Sequence, residues 1–222
     1  MKLNNKRTIL VGLAFLSICA FWQMYDSVVP LILTKTFHMN ETFSGAIMAA
    51  DNILALFLLP FFGSLSDRSH SKIGKRMPFI LFGTGCAVIL MNILPLLDNS
   101  YAAQPSGLKT ASFVIVLGLL LVTMGTYRSP AVALMPDVTP KPLRSRANAI
   151  INLMGAVGGI LYLGVAAVLY PNSKTAGLDH VNYQPLFIVV SAIMFIAIAI
   201  LFLTVKEPKL TAENQALEKQ HP

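Results

Sequence analysis

The sequence predicts an all-α membrane protein built on six transmembrane helices. Three observations lead there. Of its 222 residues, 55% are hydrophobic and only 12% are charged, against about 25% charged in an ordinary soluble domain, and its mean hydropathy is +0.66. Six apolar runs, at 8–34, 43–65, 77–97, 111–135, 147–170 and 185–205, can each cross a bilayer, which takes ~20 helical residues. The basic residues crowd into every second connection. Transmembrane strands would alternate polar and apolar residues over about ten positions, and these runs do not.

Span 1 is too long for a secretory signal, and no small-residue cleavage site follows it. Late in it, "FWQMYDSVVP" places Asp26, Gln23 and Trp22 on neighbouring positions of one helix face. A carboxylate beside an amide and an indole suits a sugar, whose hydroxyls need acceptors and whose faces stack on rings. The plainer reading of Asp26 is a solvated residue at the outer helix end. A charge at the centre of a membrane helix costs about 2.5–3.5 kcal/mol, so such residues usually face a cavity or one another. Span 2 carries Asp51 beside Asn52. Asp51 is a candidate proton carrier, as is Asp26. The alternative for Asp51 is a structural partner to a neighbouring helix.

Between spans 2 and 3 runs "GSLSDRSHSKIGKRMPFI", from Gly63 to Ile80. Gly63 allows close approach at the end of span 2. Asp67 can accept from the N-terminal amides of a neighbouring helix. Arg68, Gly74, Lys75 and Arg76 follow, and Pro78 suits the first turn of span 3. Lys75 and Arg76 can pair with acids on adjacent helix ends, which makes a breakable latch. The plainer reading is an orienting loop.

Span 4 contains Arg128, in "TYRSPAV". Arginine cannot discard its charge, so Arg128 needs an anion: Asp26, Asp51 or a substrate. Pro130 and Pro136 are expected to break this helix. The passage to span 5 carries Asp137, Arg144 and Arg146, which extend the latch. Span 5 presents Gly155, Gly158 and Gly159 as a surface for close helix contact, and its Asn152 can face a cavity. Cys19 and Cys86 lie inside spans and read as packing residues.

Orientation follows the lysines and arginines. Thirteen of the 17 lie in the N-terminal tail (Lys2, Lys6, Arg7), the 2–3 and 4–5 connections, and the C-terminal tail (Lys206, Lys209, Lys219). Lys35, Lys109 and Lys174 stand alone in the other connections. Both termini are therefore expected in the cytoplasm. The net charge of +7 is a topology signal and calls for no nucleic-acid partner. Asn40-Glu41-Thr42 has the form of a glycosylation acceptor, a short match. His38, His70, His180 and His221 are scattered. No nucleophile–base pair, phosphate-cradling glycine loop or metal spacing suggests an enzyme, and no cofactor or metal is expected.

Two stretches carry a resemblance. "DRSHSKIGKRMP" and "RSPAVALMPDVTPKPLRSRANAI" are similar to the loop signature and the span 4–5 passage of the major facilitator superfamily. More narrowly they resemble glycoside–pentoside–hexuronide:cation symporters and sucrose/maltose-type carriers. The resemblance implies one six-helix half of a twelve-span fold, with residues 1–206 as the N-terminal half and 207–222 as the start of a central linker. It implies alternating access, a glycoside or oligosaccharide substrate, and an inner (plasma) membrane location. In such carriers spans 1 and 4 face one cavity, so the resemblance favours Asp26 as the partner of Arg128. Melibiose-type symporters carry two aspartates in span 2. Aligned on Pro60, those places hold Ala55 and Leu59 here. An aspartate two residues before the span 4 proline is replaced by Arg128. The resemblance therefore implies H⁺ rather than Na⁺ coupling. Partners would be the bilayer, the sugar and a second six-helix half. A half-size carrier pairing with itself or a separate second half, and an inactive remnant, stay open.

Overall fold

The computed structural model describes residues 3–220. Lys2 and His221, named above, lie outside the described residues. Each apolar run is a helix: α1 (Asn5–Leu31, continued by a π-helical turn, Ile32–Thr36), α2 (Glu41–Asp67), α3 (Met77–Ala103), α4 (Gly107–Asp137), α5 (Arg144–Leu169) and α7 (Gln184–Thr204). A single turn, α6 (Asn172–Thr175), lies in the α5–α7 connection, and α8 (Glu207–Gln220) follows the last span. The six long helices have the length and composition to cross a membrane. The chain is a multi-pass integral membrane protein.

The helices outrun the apolar runs by up to six residues. Hydropathy marks only the part that faces hydrocarbon, while the helix continues to its caps. Asn4 caps α1 by accepting from the Arg7 amide at 3.1 Å. Asn40 caps α2, accepting from Thr42 N at 2.8 Å, so its side chain has a structural use. Pro78 sits in the first turn of α3, as expected. Pro130 and Pro136 do not break α4, contrary to expectation. Membrane helices tolerate proline when surrounding groups satisfy the freed carbonyls.

Helices in lipid gain little from hydrophobicity alone, so close packing decides their partners. Helix α1 packs chiefly on α5 and α7, α4 on α2 and α3, and α3 meets α7. Exchanging α1, α2 and α3 for α4, α5 and α7 recovers the same set of principal contacts. The bundle is thus two three-helix units. Because three spans separate them, the units enter the membrane from opposite sides.

The tightest approach is at Gly158, where a Cβ would lie 2.1 Å from the Leu16 carbonyl oxygen. Gly155 has the Cys19 sulfur 2.9 Å from its own Cβ position. Gly159 opens towards Gln23 instead, so the expected small-residue surface is made by Gly155 and Gly158. Cys19 and Cys86 are unbonded. The apolar stretch of α2 has no buried residue, and that of α5 has few. These helices form the least covered face of the bundle. The start of α1, the α2–α3 and α4–α5 connections and α8 share one end, here termed the basic end.

Candidate functional site

A narrow cleft of about 20 Å³, room for about one water, lies between α1, α2 and α4. Trp22, Asp51, Ala55, Leu58, Gly125 and Arg128 are among its lining residues. The residues flanking Arg128 fix its place. Tyr127, fully buried, donates from its hydroxyl to Ala14 O on α1 at 3.0 Å and also meets the Ser17 hydroxyl. Ser129 donates to Leu59 O on α2 at 2.7 Å. Arg128 is therefore held between two helices by its neighbours, with its guanidinium carbon 5.5 Å from the centre of the Trp22 ring. A cation over an indole gains roughly 0.5–2 kcal/mol, more as water is excluded.

Among the described residues, Arg128 has no carboxylate within ion-pair distance. The expected pair with Asp26 is not formed. Asp51 shares the cleft, but its Oδ1 accepts from Asn52 N at 2.6 Å and Asn52 Nδ2 at 2.9 Å. Asp26 is exposed, Gln23 half-buried beside α5, and Asn152 exposed on α5. None of these three lines the cleft. Tyr25, unremarked in the sequence, stacks edge-on to Trp22 with ring centres 5.3 Å apart. The Trp22 Nε1 and Tyr25 hydroxyl are buried without hydrogen-bond partners among the described residues.

The basic end holds the second polar cluster. Arg76, 4% exposed, donates through Nε to Asp137 at 2.9 Å and through its terminal nitrogens to Gly63 O at 3.3 Å, to the Ser66 hydroxyl and to Asp67. Lys75 reaches Asp137 at 3.2 Å and Asp67 at 3.8 Å. Gly63 faces the Ser129 side chain rather than another backbone. Arg144 pairs with Glu218 of α8 at 3.1 Å. Arg68 and Arg146 are exposed and in no ion pair among the described residues.

Asp67 does not cap a helix, as its position had suggested. That role falls to Glu207, which the sequence reading treated only as linker. Its carboxylate, 1% exposed, accepts from the amides of Lys75, Arg76 and Met77, each at 2.9 Å. These are orphan donors at the start of α3, where a negative charge is also favoured by the helix dipole. Gly74 makes room. Its φ is +119°, and a Cβ there would lie 2.2 Å from Glu207 Oε2. A signal was present in the sequence: Glu207 stands directly before Pro208, between Lys206 and Lys209, where the last span ends.

At the opposite end, His180 joins three segments. Its Nδ1 lies 3.2 Å from the Thr36 hydroxyl and its Nε2 3.0 Å from Asn99 Oδ1. The buried Asp98 carboxylate is 3.9 Å from Nδ1.

Two inverted three-helix units with charged groups inside the spanning region are the architecture of a carrier half. Residues 11–222 match the family model for the Major Facilitator Superfamily, and the chain belongs to that family. The family is one of transporters, not enzymes. The chain is 34% identical over 145 residues to a sucrose transport protein of Arabidopsis thaliana, covering 60% of this chain and 24% of that one. It is 26% identical over 179 residues to an alpha-ketoglutarate permease of Escherichia coli, covering 79% and 38%. It is 26% identical over 185 residues to solute carrier family 45 member 3 of Homo sapiens, covering 82% and 33%. The chain spans about a quarter to two-fifths of the length of these relatives.

Proposed function

We propose that this chain forms the N-terminal six-helix half of a secondary carrier for a glycoside or oligosaccharide, driven by H⁺ symport through alternating access. The second half comes from the same or a separate polypeptide and covers the face of α2 and α5. Both termini face the cytoplasm of a plasma (inner) membrane. One observation carries the reading: Arg128 stands over Trp22 in a cleft shared with Asp51, with no carboxylate paired to it among the described residues. A stacking ring, a fixed cation and an acid suit a polyhydroxylated ligand. Gln23, Asp26 and Asn152 contribute from the same side once the cavity is complete. Asp51 and Asp26 are the proton carriers. Gly63, Asp67, Arg68, Gly74, Lys75, Arg76, Asp137, Arg144 and Arg146 form the cytoplasmic gate. The sucrose transport relative supports the substrate class.

The unpaired Arg128 favours a second reading, a substrate that carries its own carboxylate. The alpha-ketoglutarate permease relative is compatible with it.

Trp22 is the chain's single tryptophan, so its fluorescence reports on the cleft. Titration of the purified carrier with sucrose, maltose or melibiose should give a saturable change that Arg128→Met abolishes. A response to uronic or dicarboxylic acids alone would select the second reading, and no response to either class would defeat both. For orientation, a cysteine at Ser71 should be shielded from an impermeant reagent added outside, while one at Ser173 should react.

A further inference from the structure

At the basic end another groove opens on the flank of the bundle, away from the cleft. It lies between the α2–α3 connection, the start of α3, the end of α7 and the start of α8, with a volume of about 360 Å³. Its lining divides by chemistry. Lys72, Lys206 and Lys209 bring three ammonium groups, and Ile73, Met77, Phe202 and Val205 bring an apolar floor. Ile73 and Phe202 are each 40% exposed. Among the described residues, no acid lines the groove.

The three lysines differ from the bases around them. Arg7, Lys75, Arg76 and Arg144 all have carboxylate partners. Among the described residues, Lys72, Lys206 and Lys209 have none. Glu207, beside Lys206 in sequence, forms no ion pair with them, its carboxylate being turned to the α3 amides. Positive charge and exposed apolar surface therefore coincide where two spanning helices end.

We propose that this groove binds an anionic phospholipid. The headgroup phosphate meets Lys72, Lys206 and Lys209, and the upper acyl chain lies on Ile73 and Phe202. A soluble phosphate would satisfy the lysines and leave the apolar floor uncovered. A lipid answers both, and lysine stems can lie along apolar surface while their ammonium groups reach a headgroup. Basic residues near an anionic bilayer surface each add to its attraction. The binding has a structural consequence. Lys72 belongs to the α2–α3 connection and Lys206 and Lys209 flank the start of α8, the two segments that Glu207 joins. One bound phosphate therefore fastens the same joint from outside.

The test uses the 222-residue chain in mild detergent. Bound lipid is read by native mass spectrometry and stability by thermal unfolding. The additions are dioleoylphosphatidylglycerol, dioleoylphosphatidylcholine or sodium phosphate. Phosphatidylglycerol should bind at least about tenfold more tightly than phosphatidylcholine and raise the melting temperature, and sodium phosphate should do neither. The variant K72Q/K206Q/K209Q should bring the preference to within about threefold. K141Q/R146Q/K219Q removes the same charge from elsewhere at the basic end and should keep the preference. K72Q alone leaves α8 untouched and should weaken binding even if the triple variant folds poorly. Equal affinity for the two lipids, equal loss in both triple variants, or equal stabilisation by sodium phosphate would each overturn the proposal.

Discussion

Arg76 and Arg128 both sit among packed helices, and their surroundings are opposites. Arg76 is nearly inaccessible and every side of its guanidinium is used: two aspartates, a serine hydroxyl and a backbone carbonyl. Arg128 is held as firmly from behind, through Tyr127 and Ser129, yet its front stands over an indole face and, among the described residues, meets no carboxylate within ion-pair distance. The first arginine is completed by this chain. The second is positioned by it and left open. A charge that serves packing is expected to bring its partners along, whereas a charge that serves a ligand is expected to have its support and lack its partner. The comparison thus divides structure from function within one residue type.

The largest expected effect lies at the completed site. Arg76→Met strands Asp137 and Asp67 and should lower unfolding stability by roughly 3–5 kcal/mol, the usual cost of removing one member of a buried pair. Thermal or denaturant unfolding in mild detergent reads it. A loss below the measured effect of Arg128→Met would erase the distinction between the two arginines.

Next comes Glu207→Gln. The amide keeps the shape but cannot offer two charged acceptors to three amides. The loss should be about 1.5–3 kcal/mol, the range for hydrogen bonds to charged groups, and amide exchange at Lys75, Arg76 and Met77 should quicken. Unchanged exchange there would remove Glu207 from the comparison.

Arg128→Met should cost least, about 1 kcal/mol or less, since only the contact with Trp22 is lost. Adding Asp26→Asn should recover nothing. Ligand response in the cleft should nevertheless disappear. Recovery of stability in the double variant would mean that an internal pair forms after all, and Arg128 would join Arg76 as a structural residue.

Much of the fold was legible because the bilayer imposes a simple rule on length and hydropathy. The six spans, Pro78 at the start of α3 and the Gly155–Gly158 surface follow from local pattern alone. The approach of Asp67, Arg76 and Asp137 was also readable, since opposite charges at helix ends sharing one side of a membrane have few places to go. Glu207 was harder to find. Its partners are backbone amides about 130 residues earlier, and an amide has no letter in a sequence. The partner of Arg128 was misjudged for a related reason. A cavity shared by spans 1 and 4 in similar carriers favours Asp26 as its partner, but helix rotation set by Tyr127 and Ser129 aims Arg128 at Trp22. Tyr25 and His180 escaped because their roles depend on which helices become neighbours in space.

Helix α1 scarcely touches α2 and finds its main partners in α5 and α7, with backbone meeting backbone at Gly158. This has a consequence for biogenesis. The segment from Leu31 to Arg144, about 110 residues, must be made before α5 begins to emerge, which takes roughly 6–23 s at ~5–20 residues per second. Throughout that interval α1 must wait at the insertion machinery or in lipid with Leu16, Cys19 and Gln23, which meet the glycines of α5, uncovered. Nascent chains stalled before residue 144 should therefore leave Cys19 open to alkylation, and chains extended past α5 should close it. The order of synthesis and the order of packing are different in this molecule, and its first helix is among the last to be finished.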